Sequence, residues 1–266
     1  MVARFFDDLD WSQAWFASVF PAAKSVVATD DWRVQINVLA SQSDICNHHD
    51  QPLRFVPQES LPDGVAYESH ICATSEVPTR ENLHDFFNAL VWLTFPKIKR
   101  QLNALQAAQI TAWGVGKSRG PARDAATIFD ENAAILVIEN SCEGQALLAL
   151  LRDHQWDAAF IVQRAMFGEK VQVWSFGHAL MEKLVKPYKA ITAHAWVVWV
   201  DAEFFSCSWD ERRAWIDERV AMQLATHDLS TADYTPLPVL GIPGWWPQQD
   251  ENFYADTSVF RAKRAK

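Results

Sequence analysis

The clearest helical pattern lies in VPTRENLHDFFNALVWLTFPKIKRQLN, residues 77–103. Its apolar positions recur at helical spacing and form one wide face: Leu83, Phe86, Phe87, Leu90, Val91 and Leu93. Thr79 and Asn82 are candidate N-caps, because short polar side chains accept hydrogen bonds from the free amides of a helix start. Pro96 should break this helix, since proline clashes with the preceding turn. A second helix is expected from Lys97 to Gln109.

The rest of the chain mixes helical and strand patterns in no regular order. Helices are expected at 11–20, where Pro21 would end the helix, and at 30–44, 141–168, 178–186 and 208–226. Strands are expected at 54–56, 66–71, 171–176 and 190–201. Residues 124–140 read as a β-hairpin around the turn sequence DEN, which makes Asp130 and Glu131 turn residues. The alternative interpretation is that these two residues form a catalytic carboxylate pair.

This mixture predicts the α+β class, because helices and strands do not alternate as they do in a parallel α/β fold. We expect a single globular domain over residues 1–266, with helices packed around a small, largely antiparallel sheet. Residues 235–266 are rich in proline and tryptophan and predict an irregular C-terminal arm.

Composition narrows the classes of partner. A net charge of −9 argues against a nucleic-acid partner, which would need many basic side chains. The longest apolar stretches fall short of a membrane span, and the first residues lack the pattern of a secretion signal. The four cysteines form no CxxC motif, which argues against a zinc ribbon and favours free thiols in the cytoplasm.

The glycine-rich stretch GVGKS, residues 114–118, resembles part of a phosphate-binding P-loop. The full motif requires a glycine five residues before Gly116, where this chain has Thr111. Proline and arginine follow where the motif requires a helix, so we do not interpret the stretch as a nucleotide site.

Polar side chains crowd the start of the helix in 77–103. Arg80, His84, Asp85 and Asn88 stand there, and His84 and Asn88 share one face because they are four residues apart. These groups could bind a metal ion, act as acid and base, or hold an anion at the helix start. The simpler alternative is that they cap the helix and bond to nearby loops.

Two further groups are candidates. His178 and Glu182 are also four residues apart, so they could share a metal ion or a proton, or form a plain surface hydrogen bond. Arg123 and Asp124, after Arg119 in RGPARD, could hold a phosphate or carboxylate, or pair as a structural bridge.

A third pattern involves His70, which precedes the helix that carries His84. A hairpin histidine followed by a helix histidine resembles the metal site of HNH nucleases. The match is short, and the acidic charge of the chain argues against a nucleic-acid substrate.

Four long motifs carry a wider resemblance: residues 77–103, RDAATIFDENAAILV, FGHALMEKL and PLPVLGIPGW. Over nearly the whole chain they resemble a mostly proteobacterial family catalogued only as a domain of unknown function, the 3025 family. The resemblance implies one cytoplasmic domain. It implies no activity and no catalytic residues.

The leading hypothesis is a hydrolase for a small phosphorylated or carboxylated substrate. The expected catalytic residues are His84, Asp85, His178 and Glu182. The expected ligands of a divalent metal ion are His84, His178 and Glu182. The expected substrate-binding residues are Arg80, Asn88, Arg123 and Asp124. The alternative is a non-catalytic domain that binds a small molecule or a protein through its aromatic surface, and the third hypothesis is an HNH-like nuclease.

Overall fold

The computed structural model describes residues 4–114 and 120–263. These residues form eleven α-helices: α1 (Phe20–Val27), α2 (Trp32–Gln42), α3 (Tyr67–Thr74), α4 (Leu83–Thr94), α5 (Pro96–Trp113), α6 (Pro121–Asn132), α7 (Cys142–Arg152), α8 (Met166–Glu169), α9 (His178–Lys183), α10 (Trp209–Thr226) and α11 (Glu251–Tyr254). The six strands are β1 (Arg54–Pro57), β2 (Glu76–Thr79), β3 (Ala133–Glu139), β4 (Val171–Ser175), β5 (Thr192–Val200) and β6 (Thr235–Pro238). The fold is α+β, as the sequence predicts.

The main sheet has four strands in the order β4-β3-β5-β6. The two outer pairings are antiparallel, and the central pairing of β3 with β5 is parallel, so the sheet is mixed. Six of the seven residues of β3 are buried, which explains its unbroken apolar sequence AAILVI. A separate two-stranded sheet pairs β1 with β2 in parallel.

Aromatic side chains fill the core around α4. Phe6 stacks on Phe86 with ring centroids 4.7 Å apart, and Phe16 stacks on Phe87 at 5.4 Å. All four rings are at most 1% exposed. Much of the unusual phenylalanine content of the chain therefore serves packing.

The predicted hairpin at 124–140 is wrong in its first half. Residues 121–132 form helix α6, and β3 follows directly. Ala125, Ala126 and Phe129 lie buried along one side of this helix, and Pro121 occupies its first turn, where a proline is tolerated. Asp130 and Glu131 are therefore helix residues and not turn residues.

Two other sequence predictions need correction. Residues 67–74, part of which reads as a strand, form helix α3, and the strand follows at β2 after Ser75 ends the helix in a left-handed conformation with φ of 62°. Pro21 does not end a helix but stands in the first turn of α1, where an amide N–H would have no partner within the helix.

Other predicted elements are confirmed. Pro96 separates α4 from α5, and Ser208 caps α10 in a capping box with Glu211. The C-terminal arm predicted to be irregular differs from that prediction at its start, because Thr235–Pro238 form strand β6, which extends the main sheet along β5. Within the described ranges, no helix combines the length and the apolar character needed to cross a lipid bilayer.

Candidate functional site

Helices α3, α4, α6 and α9 surround a cavity of about 290 Å³. Its walls are polar, and the lining residues are Gln58, Leu61, Tyr67, Glu68, Arg80, His84, Asp85, Asn88, Asp130, Glu131 and His178. Segments far apart in sequence thus contribute acidic and basic side chains to one cavity. Such convergence of titratable groups in a cavity is the usual feature of a binding or catalytic site.

Local backbone chemistry fixes the two histidines. Asn82 caps α4 by accepting a hydrogen bond from Asp85 N at 2.8 Å, which sets the first turn that carries His84. His178 is the first residue of α9, directly after Gly177. Helix α9 packs on both α4 and α6, so the two histidines approach each other from different helices.

The imidazoles of His84 and His178 lie in direct contact. Their Nε2 atoms are 3.1 Å apart. On its other side, the Nδ1 atom of His84 lies 2.9 Å from Oε2 of Glu182. An ionised carboxylate only accepts hydrogen bonds, so Nδ1 of His84 carries a proton and the Nε2 edge of the same ring faces His178.

Glu131 completes a group of three potential metal ligands. Its Oε2 atom lies 3.9 Å from Nε2 of His178, and one ligand atom from each of His84, Glu131 and His178 lies within 4.8 Å of the other two. Ligands bound tetrahedrally to zinc at its usual bond lengths lie about 3.4 Å apart. The separations of 3.1 Å between the two Nε2 atoms and 3.9 Å between Glu131 and His178 are therefore comparable to those around one bound ion.

The protonation of this group suits a metal. Burial lowers the pKa of His178 to about 3, against the opposing charge of Asp130, so this imidazole is neutral at pH 7. Burial also raises the pKa of Glu131, and the neighbouring charge of Asp130 adds to the effect. Neutral imidazole is the form that binds metal ions, and a cation beside Glu131 would favour its charged form.

Arg80 and Asp85 form a bidentate ion pair at the cavity rim. Asp85 Oδ2 accepts hydrogen bonds from N and Nε of Arg80 at 2.6 and 2.9 Å, and Oδ1 accepts from Nη2 at 3.0 Å. The Asp85 side chain is buried, whereas the Arg80 side chain is 57% exposed. Asp85 is thus occupied by Arg80, and it holds this guanidinium facing the solvent at the rim.

A buried ion pair lies at the back of the cavity. Nζ of Lys99 on α5 donates to Oδ1 of Asp130 at 2.5 Å and to Oδ1 of Asn88 at 2.8 Å. Asn88 in turn donates to the hydroxyl of Tyr67 at 3.1 Å. Although burial opposes it, the charge of Lys99 lowers the pKa of Asp130 below its usual value. Asn88 is therefore part of a structural network that fixes the rear wall.

Glu68 occupies the α3 side of the cavity. Its Oε2 atom and its main-chain oxygen both accept hydrogen bonds from Nδ2 of Asn103, at 2.6 and 2.9 Å. Burial raises the pKa of Glu68, and the negative charge of Asp130 adds to this effect, while Lys99 opposes it. A neutral amide is the hydrogen-bond partner of this carboxyl group.

Arg123 and Asp124 lie away from this cavity. They stand in the first turn of α6, whereas Asp130 and Glu131 stand in its last turn, about 10 Å further along the helix axis. Nη1 of Arg123 donates to the carbonyl of Gly114 at 3.5 Å. Arg119 and residues 115–118 of the GVGKS stretch lie outside the described residues.

The geometry does not reproduce the HNH arrangement around His70. This histidine lies in helix α3, and the strands on either side of that helix pair in parallel, whereas the nuclease pattern requires a hairpin. Nε2 of His70 is 3.9 Å from Oε2 of Glu76, and His70 does not line the cavity that contains His84.

Two of the other cavities combine more apolar walls with a position beside aromatic side chains. The larger one, of about 570 Å³, lies between α2 and β1 and includes Ile45, Leu53 and Phe55 in its walls. A cavity of about 320 Å³ lies between the N-terminal segment and the Trp- and Pro-rich arm, with Trp15 and Trp246 in its walls. Each is large enough to contain a small molecule.

The sequence predictions missed Glu68 and Lys99 as site residues, and they favoured a turn over a carboxylate pair for Asp130 and Glu131. The sequence did contain a signal for Glu131, because the apolar residues Ala125, Ala126 and Phe129 before it fit a helical period. A helix over these residues places Glu131 in its last turn, next to the strand that follows. For Glu68 and Lys99 we find no signal in the sequence, since only the packing of α3 and α5 around α4 brings them to the cavity.

Comparison with protein families gives one match. The model of the family described as "Protein of unknown function (DUF3025)" matches residues 53–264, which include every residue that lines the polar cavity. No match is found among curated proteins or among solved structures.

Proposed function

The chain belongs to this family of unknown function, and from the geometry of the polar cavity we propose that it is a metal-dependent hydrolase for a small anionic substrate. One observation carries the proposal: two imidazole Nε2 atoms lie 3.1 Å apart, and the first of these rings is hydrogen-bonded through Nδ1 to a carboxylate. A carboxylate behind a histidine that faces a ligand position is the usual support of a metal-binding imidazole.

We assign the metal ligands to Nε2 of His84, Nε2 of His178 and the carboxylate of Glu131. This differs from the ligand set expected from the sequence, since Glu182 supports His84 from behind instead of binding the ion. Two histidines and one carboxylate form a frequent ligand set of hydrolytic zinc sites, which leave a fourth position open. When bound, the ion would polarise the substrate and lower the pKa of water.

Arg80 would hold the anionic part of the substrate at the rim, because its guanidinium is exposed and already oriented by Asp85. We therefore assign Asp85 a positioning role and not the acid–base role expected from the sequence. Asn88 would also have an indirect role, because its hydrogen bonds go to Lys99 and Tyr67 and not to the substrate. Arg123 and Asp124 have no place in this assignment.

We further propose a bacterial, cytoplasmic setting. The motifs that resemble a proteobacterial family support the bacterial origin. The four cysteines support the cytoplasmic location, because all of them are free thiols, as expected in a reducing compartment.

The test begins with metal analysis of the purified protein and titration of the metal-free protein with divalent ions. Glu131→Gln should weaken zinc binding by more than about 100-fold, because it removes a charged ligand. Glu182→Gln should weaken it by about 10- to 100-fold, as expected for a residue behind a ligand. His227→Gln is the control, since His227 pairs with Asp233 outside the cavity.

Hydrolysis is then measured with small phosphate and carboxylate esters in the presence of the bound ion. Arg80→Gln should raise KM more than it lowers kcat, because a group that only binds the anion contributes equally to substrate and transition state. A protein that binds no divalent ion, or that binds one and hydrolyses none of these esters, would contradict the proposal. A hydrogen bond between the two histidines would then account for their contact.

The second candidate function is a non-catalytic domain that binds a small molecule. The cavity of about 570 Å³ beside α2 and β1 favours it, since it exceeds the polar cavity in volume and has apolar walls. A thermal-shift screen of apolar ligands would detect this activity. Stabilisation that survives Glu131→Gln but is lost on Phe55→Ala would assign it to that cavity.

A further inference from the structure

Five carboxyl groups lie in or beside the polar cavity: Glu68, Asp85, Asp130, Glu131 and Glu182. A hydrolase needs one group that moves a proton between water and the leaving group. Asp85 is held by three hydrogen bonds from Arg80, and Asp130 is paired with the buried ammonium of Lys99. Both carboxylates are thus already occupied by a cationic partner, which leaves neither of them free to reach a substrate or a water molecule.

Two of the remaining three carboxyl groups have another task under the proposed function. Glu182 orients His84 by accepting the hydrogen bond from Nδ1. Glu131 is the third ligand of the metal ion. Glu68 remains, and it differs from the others because its hydrogen-bond partner is the amide of Asn103 and not a cation or a histidine.

We propose that Glu68 is the proton-transfer residue of this site, an assignment that rests on the proposed hydrolase function. As the oxygen of water bonds to the carbon or phosphorus of the ester, one water proton passes to the Glu68 carboxylate. As the bond to the leaving oxygen breaks, Glu68 gives that proton to this oxygen. Water and ester become acid and alcohol, and no oxidant or further reactant is consumed.

The surroundings of Glu68 support this assignment. The two hydrogen bonds from Asn103 to Glu68 fix the position of its side chain and main chain without neutralising the carboxylate. Burial raises its pKa, which brings a carboxyl group closer to the range in which a proton can be taken up and released near neutral pH. Its position on α3 places it on a different wall from Glu131 on α6 and His178 on α9.

Glu68→Gln tests the role with little change in structure, because the amide oxygen of glutamine can still accept the hydrogen bond from Asn103. We expect kcat to fall by roughly 10²- to 10⁴-fold, the usual contribution of a proton-transfer group. Zinc stoichiometry and affinity should stay at the wild-type level. The acidic limb of the pH profile of kcat/KM should also disappear, an effect that a structural role would not produce.

Glu59→Gln is the matched control, since Glu59 is an exposed acid near the rim that does not line the cavity. Glu68→Asp should keep the acidic limb at reduced kcat, because it retains a carboxyl group. A Glu68→Gln protein with wild-type kcat, or with lower kcat and an unchanged acidic limb, would overturn the role of Glu68 alone. Absence of metal-dependent hydrolysis in the wild-type protein would overturn the proposed function as well.

Discussion

Gly177 sets the distance between the first turn of α9 and the end of α6. Its N–H donates to the carbonyl of Ala133 at 2.8 Å. A Cβ atom added at Gly177 would lie 2.5 Å from both the carbonyl oxygen of Glu131 and the nitrogen of Asn132, and 2.6 Å from the nitrogen of Ala133. The residue next to it, His178, owes its contact with Glu131 to this close approach.

Gly177→Ala should therefore damage both stability and the site. The new methyl group would lie about 0.9 Å inside the 3.4 Å at which ordinary contact begins, and all three atoms that it meets are main-chain atoms that cannot rotate away. Overpacking of this kind costs about 1–3 kcal/mol. We expect the upper end of that range, which for a chain of this size corresponds to a fall in Tm of roughly 5–10 °C.

The assay is urea unfolding at neutral pH followed by zinc titration of the folded, metal-free protein. The helix start must move outward to accept the methyl group, which separates His178 from Glu131, so zinc affinity should fall by at least tenfold. Gly120→Ala is the matched control, because a Cβ there meets only the flexible side chain of Gln109, at 3.4 Å. Equal stability and zinc affinity of the two variants would refute the role of Gly177.

Two further predictions concern buried charge. Lys99→Met should lower the free energy of unfolding by about 3–5 kcal/mol in urea unfolding at pH 7, because it leaves Asp130 charged and unpaired where both side chains are at most 9% exposed. Lys97→Met, which breaks the exposed pair with Glu218, should cost less than about 1 kcal/mol, and a similar loss in both variants would contradict this reasoning. His178 takes up a proton near pH 6.5 in the unfolded chain but only near pH 3 in the folded chain. The contribution of neutral His178 to the free energy of unfolding is therefore fully present above pH 6.5 and is lost as the pH falls. The advantage of the metal-free wild-type protein over His178→Gln in unfolding free energy should shrink by about 2–3 kcal/mol between pH 7 and pH 4.5, and a constant difference would contradict the lowered pKa.

The sequence predicted those parts of the fold whose signals are local. The break at Pro96 and the capping box of Ser208 with Glu211 depend on contacts within a few residues, and both are confirmed. The hairpin prediction at 124–140 failed because DEN has a turn-like composition, whereas the buried stripe of α6 arises from packing against α5 and α9. Local propensity favours a hairpin and a helix almost equally in this segment, and tertiary contacts decide in favour of the helix.

The site residues also divide into those with a local signal in the sequence and those that only tertiary packing brings together. The four-residue spacing of His178 and Glu182 indicated a shared face, but in the structure both side chains turn towards His84 on another helix, 94 and 98 residues away in sequence. Contacts over such distances depend on the order in which helices pack, which residue spacing does not encode. Lys99 shows this most clearly, since a lysine in the helix sequence PKIKRQL reads as a surface residue and is 4% exposed.

The charges around the cavity connect its two proposed tasks. Arg80 with Asp85, and Lys99 with Asp130, form pairs that are each close to neutral, so the carboxyl groups of Glu68, Glu131 and Glu182 determine much of the remaining charge. An anion that entered the cavity without a metal ion would meet this negative charge. A divalent ion bound by the histidines and Glu131 would offset this negative charge and attract the anion towards the ion and Arg80. Because coupling between two binding sites is reciprocal, the anion must then raise the affinity for the metal ion by the same factor. Under the proposed function, the metal ligands and the rim arginine would therefore form one linked site, in which neither part accounts for substrate binding without the other.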